Sequence, residues 1–237
     1  MCSEAPEKAL QGPAKLERVY SNQGNIPLLN LLGDGCRRVL DIGCGAGDNA
    51  NRILSGNPNC EIYGITHSTD EAQLAQASMK KCWVADIEGD MPDDLAGQFF
   101  DALVFSHVLE HLSYPAAIVE RYSKLLTSGG QMLIAVPNIL SWAMRLQFLT
   151  GDFAYQSCGV LDDTHLRFFT YITADRYLLS QSPDLSVTHK SVSGNVPLWL
   201  LRRHVLSSKM CEAIDKWGCR HWPNLFGYQV LIRAVKR

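Results

Sequence analysis

Four side chains able to move a proton or grip a cation stand out by type and spacing. They are His107, Glu110 and His111 within five residues, and His165 two places after Asp163. An imidazole with a pKa of about 6.5 can take a proton from a hydroxyl or amine near neutrality, and a nearby carboxylate can orient it. His165 is the first choice for such a base because it lies in a stretch read below as a cover; His111 and His107 are the other candidates, and Asp163 could orient a neighbour. Upstream, Asp41-Ile42-Gly43-Cys44-Gly45-Ala46-Gly47 sets three glycines at alternate positions behind an apolar run. Glycine tolerates positive φ and, lacking a Cβ, lets a ligand lie against main chain. The free N–H groups of a helix opening at Asp48 would point back at that ligand. The glycine spacing departs from the G-x-G-x-x-G of a dinucleotide site, which disfavours NAD. A glycine-rich connection with no ligand is the plain alternative.

These residues need a frame. Apolar runs predict strands over Val39–Ile42, Glu61–Ile65, Lys81–Ala85, Phe100–Phe105 and Gln131–Val136, since strands covered on both faces read as continuous apolar segments. Helices are expected over Leu16–Leu32 ending near Gly33, over Asp48–Leu54, from about Asp70, and over Pro115–Thr127 with Gly129-Gly130 past its end. Later strands at Leu185–Val192 and Tyr228–Val235, with a helix near Thr173–Gln181 between the fifth and sixth, complete the set. The expectation is an α/β fold: a doubly wound, seven-stranded, mostly parallel Rossmann-like sheet with helices on both faces. One domain spans 1–237, with an N-terminal cap (1–33) and two substrate-cover insertions (139–170 and 193–224). In such sheets ligands collect beyond the carboxyl ends of the strands, where the strand order reverses. That places Ser106 and His107, which leave strand four, beside the ligand.

Within 139–170, Trp142, Met144, Phe148, Phe153 and Tyr155 either hold an acceptor or form a small satellite core. Pro197–Trp217 reads as one amphipathic helix with Arg202, Arg203, His204, Lys209 and Lys216 on its polar side. That face could meet an acidic substrate, a membrane surface, a second subunit or only solvent.

Composition narrows the class. A formal charge of −2 over 237 residues supplies no global basic field, so nucleic acid is not the expected partner. The eight cysteines are scattered without a C-x-x-C pair, which suggests reduced thiols rather than a zinc ribbon or disulfide framework. The opening residues are too polar for a signal peptide and no apolar run is long enough to span a membrane. The expectations are a cytoplasmic monomer or homodimer acting on a small-molecule acceptor.

Taken together, the D-x-G-x-G-x-G loop, Asp86-Ile87 and the run Ser106-His107-Val108-Leu109-Glu110-His111-Leu112 resemble class I S-adenosylmethionine (SAM)-dependent methyltransferases, in the ubiquinone-pathway and MetW-like group. The resemblance implies SAM as cofactor, with S-adenosylhomocysteine as product. It implies contacts from Tyr20, Asp41, Gly43, Cys44, Gly45, Thr66, His67, Asp86, Ile87, Ser106 and His107. Asn25 joins Tyr20 as a candidate in the segment before the first strand; a packing aromatic and a turn Asn are the bland readings. Thr66 stands where the family usually has an acid holding both ribose hydroxyls. His67 would pack on the adenine or face solvent, and Asp86 with the next N–H would read the adenine edge or merely cap a turn.

The implied reaction is in-line displacement of a methyl group onto an oxygen or nitrogen of a small metabolite, with proximity supplying much of the rate. His107-x-x-Glu110-His111 also matches an inverted zinc-protease pattern, but it follows a buried strand in a cofactor-binding frame. No metal is expected. The alternatives are a metal-assisted O-methyltransferase using Glu110, His111 and His165, and a non-catalytic SAM-binding partner subunit. A further one is a nucleic-acid methyltransferase.

Overall fold

The computed structural model describes residues 23–33 and 35–237. The apolar runs form strands β1 (Arg38–Ile42), β2 (Glu61–Thr66), β3 (Lys81–Val84), β4 (Phe100–Ser106), β5 (Leu126–Pro137), β6 (Leu185–Gly194) and β7 (Gly227–Lys236). They lie in one sheet in the order β3-β2-β1-β4-β5-β7-β6. β1 pairs in parallel with β2 on one side and β4 on the other, so the reversal of strand order falls between β1 and β4. β7 runs antiparallel to both its neighbours, β5 and β6.

Successive residues of a strand point to opposite faces, and both faces are covered. Leu40, Ile42, Leu103, Phe105 and Ile134 pack on one side with Tyr122 of helix α4 (Pro115–Ser123). Val39, Ile62, Val104 and Leu133 pack on the other with Leu28 of α1 (Ile26–Leu29) and Ile53 of α2 (Asp48–Gly56). This two-sided burial is why the central strands carry no polar alternation. α3 (Thr69–Ala75) follows β2, capped by the Ser68 hydroxyl on the Glu71 amide. The remaining helices are α5 (Trp142–Leu149), α6 (Ala174–Leu178), α7 (Trp199–His204), α8 (Ser208–His221) and α9 (Pro223–Phe226). Among the described residues, no helix is long and apolar enough to cross a membrane.

Four sequence expectations change. The helix expected to end near Gly33 is, in its described part, one turn over Ile26–Leu29. The helix expected over Pro115–Thr127 stops at Ser123, and β5 begins at Leu126, so Gly129 and Gly130 lie within a strand rather than beyond a helix. The irregular stretch after β5 contains the helix α5. The single helix expected over Pro197–Trp217 is two, because the chain breaks at Val205 and Ser207 starts a new helix by accepting from the Met210 amide.

Candidate functional site

Beyond β1 the chain turns through Gly43, Gly45 and Gly47, whose φ values are 75°, 52° and 89°. L side chains rarely adopt such values. At Gly43 space is the second constraint, since a Cβ would lie 2.3 Å from Val108 Cγ2. The Gly43 and Cys44 amides both donate to the Ile65 carbonyl, at 2.8 and 2.9 Å, which fixes the turn to the end of β2. Cys44 is buried with its sulfur 3.5 Å from that of Cys82.

Asp41, at the end of β1, is fully buried. Burial pushes its carboxyl up to about 7, against the opposing hydrogen bond from Asn49. Only Oδ1 is engaged, by Asn49 Nδ2 at 3.4 Å; Oδ2 is buried without a partner among the described residues. From Asn49 a polar chain crosses the reversal point. Asn49 Oδ1 accepts from the Asn25 amide at 2.9 Å, and Asn25 Nδ2 donates to Ser106 Oγ at 3.2 Å and Gln229 Oε1 at 2.9 Å. Gln229 Oε1 also lies 2.8 Å from His107 Nε2, and His107 Nδ1 lies 3.2 Å from Glu110 Oε1.

His107 is the one non-glycine with positive φ, 56°, among the described residues. Strain of that kind survives only where the surroundings enforce it, and it gathers at functional sites. Packing on the inner side of the ring opposes its charged form, but Glu110 and Gln229 favour it and prevail, leaving its pKa above the ordinary value.

A second cluster lies across Glu110. The 3-10 turn Leu109–His111 buries the Glu110 carboxylate, whose Oε2 has no hydrogen-bond partner among the described residues. The Glu110 carbonyl accepts from the Leu166 and Arg167 amides at 2.8 and 3.0 Å, clamping the cover onto the turn. This brings His165 to His111 with ring centroids 4.7 Å apart. One ligand atom from each of Glu110, His111 and His165 falls within 4.8 Å of the others.

The hydrogen bonds assign the tautomers. His165 Nδ1 faces the Val160 carbonyl at 2.9 Å, which can only accept, so Nδ1 carries a proton and the neutral ring has its lone pair on Nε2. Thr164 Oγ1 donates to Asp162 Oδ1 at 2.6 Å and therefore accepts from His111 Nδ1 at 3.0 Å, which leaves His111 Nε2 as an acceptor too. Burial, with His165 adding to it, holds His111 below the usual histidine range despite the Glu110 charge. Burial works against the Asp162 anion, but two bonds from Thr164 prevail and keep its pKa low. The orienting acid is therefore Asp162; Asp163, expected in that role, is exposed.

The other candidates fall as follows. Thr66 is buried and its hydroxyl donates to Glu71 Oε2 at 2.6 Å, so its proton is not open to a ribose. His67 is exposed at the tip of β2. Asp86 is exposed beyond β3, with Oδ1 accepting from the Glu88 amide at 2.9 Å in a local turn. Ile87 is part-buried beside it, its carbonyl accepting from Arg121. Tyr20 lies outside the described residues. Asn49, Glu71, Asp162, Thr164 and Gln229 belong to the arrangement without having been singled out in the sequence.

Such a sheet, with a glycine turn after β1 and exposed polar tips on β2, β3 and β4, defines the class I methyltransferase architecture. Residues 13–180 match a family described as a methyltransferase domain. The chain belongs to that family.

Among its relatives, the mitochondrial ubiquinone biosynthesis O-methyltransferase of Candida albicans is 27% identical over 122 residues, 47% of this chain and 36% of that protein. A trans-aconitate 2-methyltransferase of an Acidovorax species is 26% identical over 132 residues, 54% of this chain and 50% of that one. The chain thus spans half or less of the length of these two relatives. The crystal structure of a SAM-dependent methyltransferase from Archaeoglobus fulgidus superposes with a TM-score of 0.57 at 21% identity, covering 85% of this chain and 87% of that one.

Proposed function

We propose that this chain methylates an oxygen of a small-molecule acceptor, with His165 taking the acceptor's proton and His111 beside it. The observation that carries this reading is the convergence, within 4.8 Å, of one ring nitrogen each from His111 and His165 with an oxygen of the buried Glu110 carboxylate. A hydroxyl loses its proton as it gains a methyl group, so a neutral imidazole at attack distance is the group the reaction needs.

The glycine turn fits the amino-acid end of SAM, because Gly43, Gly45 and Gly47 put no side chains of their own on its main chain and the buried Asp41 Oδ2 lacks a partner among the described residues. Asp86, His67 and the Ile87 backbone fit the adenosine end at the tips of β2 and β3. With the Thr66 proton committed to Glu71, the ribose relies on other groups. When bound, SAM supplies a sulfonium-activated methyl carbon for in-line displacement. The protein's share is to hold the acceptor oxygen near the His165 and His111 nitrogens and to exclude water with the cover. Residues 139–170 and 193–224 form that cover on a single domain, and Phe148, Phe153 and Phe168, whose rings contact one another in series, wall its acceptor side.

The test is methyl transfer from labelled SAM to a panel of phenols, catechols, carboxylic acids and amines. Turnover confined to amines, or cofactor uptake with no turnover at all, would count against an oxygen acceptor.

A second reading has its own support. One nitrogen from each of two imidazoles and one carboxylate oxygen form half of a coordination shell, and the mixed N/O set suits a divalent transition metal better than magnesium. In that case Glu110, His111 and His165 would hold the ion, which would acidify the acceptor hydroxyl. Chelator treatment followed by metal titration separates the two. Unchanged turnover after exhaustive chelation leaves the imidazole base alone.

A further inference from the structure

The segment from Trp199 to Trp222 differs in character from the rest of the chain. It holds five cations (Arg202, Arg203, Lys209, Lys216 and Arg220) against two acids (Glu212 and Asp215), in a chain whose net charge is −2. It also exposes three tryptophans, Trp199 at 68%, Trp217 at 53% and Trp222 at 50%.

The helix α8 shows how these are arranged. Its inner side is fixed by Gly218, which is buried and where a Cβ would sit 2.4 Å from Val196 Cγ2 and 3.1 Å from Phe226 Cδ2. Asp215 on the same inner side pairs with Arg202 and accepts from the Val196 amide at 2.8 Å, which ties α7 to α8. With 3.6 residues per turn, Lys209, Lys216 and Arg220 then project opposite Gly218, while Met210 and Trp217, seven residues apart, form an adjoining stripe. All five are exposed. The Trp217 ring centroid lies 5.0 Å from that of Trp222, which extends the apolar stripe past the end of the helix.

A stripe of tryptophan and methionine beside a row of lysine and arginine is the surface an interfacial helix offers to lipid. Indole rings settle at the headgroup level, and cations meet anionic phosphates. We propose that the outward face of α8, with Trp199 of α7, docks the protein on the surface of an anionic phospholipid bilayer. Charge decides the occupant. A second copy seated by two-fold symmetry would set this cationic face against itself, at a cost in repulsion. The tryptophans are spread over α7, α8 and the residue that ends α8 rather than interleaved in a basic groove as base-stacking platforms would be.

The proposal is tested by flotation of the purified protein with vesicles of phosphatidylcholine alone and of phosphatidylcholine with about 30 mol % phosphatidylglycerol. The expected result is capture by the anionic vesicles only, released at ~0.5 M salt, where the Debye length shrinks to a few ångströms. The triple variant Lys209→Glu, Lys216→Glu, Arg220→Glu should lower the bound fraction about tenfold or more, with an unchanged circular dichroism spectrum and melting midpoint. Trp217→Phe should reduce quenching by bromine-labelled lipid while leaving charge-driven capture in place.

Equal capture by neutral vesicles, no capture by either, or full capture of the triple variant would overturn the proposal. So would a self-association dissolved by Trp217→Ala, or tighter binding to a single-stranded oligonucleotide than to the anionic vesicles.

Discussion

Thr164 Oγ1 sits 3.0 Å from His111 Nδ1 and must accept there, because its own proton goes to Asp162 2.6 Å away. One hydroxyl thus sets which nitrogen of His111 is bare. Thr164→Val removes that constraint and lets the imidazole take the other tautomer. Turnover is expected to fall about tenfold to a hundredfold, with cofactor affinity by calorimetry unchanged. Thr164→Ser should restore most of it. Equal activity in the valine variant would show that the tautomer of His111 does not matter to the reaction.

His165→Ala should leave cofactor affinity nearly intact and lower turnover by roughly a hundredfold or more. The side chain meets the site through the cover and donates to Val160 rather than to the glycine turn, which is why the two readouts should separate. An unchanged rate would dismiss His165 as the base.

Gly43→Ala meets two obstacles at once, a φ of 75° and a Cβ position 2.3 Å from Val108 Cγ2. Together these should cost roughly 2–4 kcal/mol of stability and weaken cofactor binding. Adding Val108→Ala removes the collision but not the backbone strain, so chemical denaturation of the double variant should show a partial recovery. Full recovery would mean that the left-handed conformation is not enforced.

Asp41 ties stability to pH in a direction opposite to that of a salt-bridged acid. Its carboxyl titrates at about 7 in the fold against an ordinary 3.8, so the folded state holds the proton more tightly than the unfolded chain. Its contribution is most favourable below pH 3.8, declines as pH rises toward 7 and is level above that. The full span is of order 4 kcal/mol. Asp41→Asn should flatten this slope in denaturation curves of the cofactor-free protein, making it more stable than the parent at pH 8, while cofactor affinity drops. A variant less stable than the parent at pH 8 would show that the buried carboxylate is a favourable anion after all.

The sheet was legible from the sequence because both its faces are buried, so that the core of β5 reads as an unbroken apolar run and β1 and β4 as apolar runs interrupted only by Asp41 and Asp101. What escaped was decided by contacts between distant residues. Gln229 reaches His107 across 122 positions and Asn25 reaches Ser106 across 81, and neither is marked by any local pattern. The adjacent acids at 162 and 163 are chemically alike in sequence. A turn closed by the Asp162 amide on the Gly159 carbonyl and the isolated bridge between Gln156 and Asp162 choose the first for Thr164. Thr66 looked like a weakened ribose ligand, but Glu71, in the first turn of α3, claims its hydroxyl. Gly129-Gly130 looked like a helix stop and instead lies in the first part of β5, where only Ser128 and Gly129 are exposed.

The place of β7 governs the order in which the parts of the site can form. It is the last of the seven strands in order, yet it lies inside the sheet between β5 and β6 and carries Gln229 to His107. Until β7 is in place, β6 has no neighbour in the sheet and the imidazole at the reversal point lacks its amide partner. The glycine turn is tied to the end of β2, so it can close before the surroundings of His107 are complete.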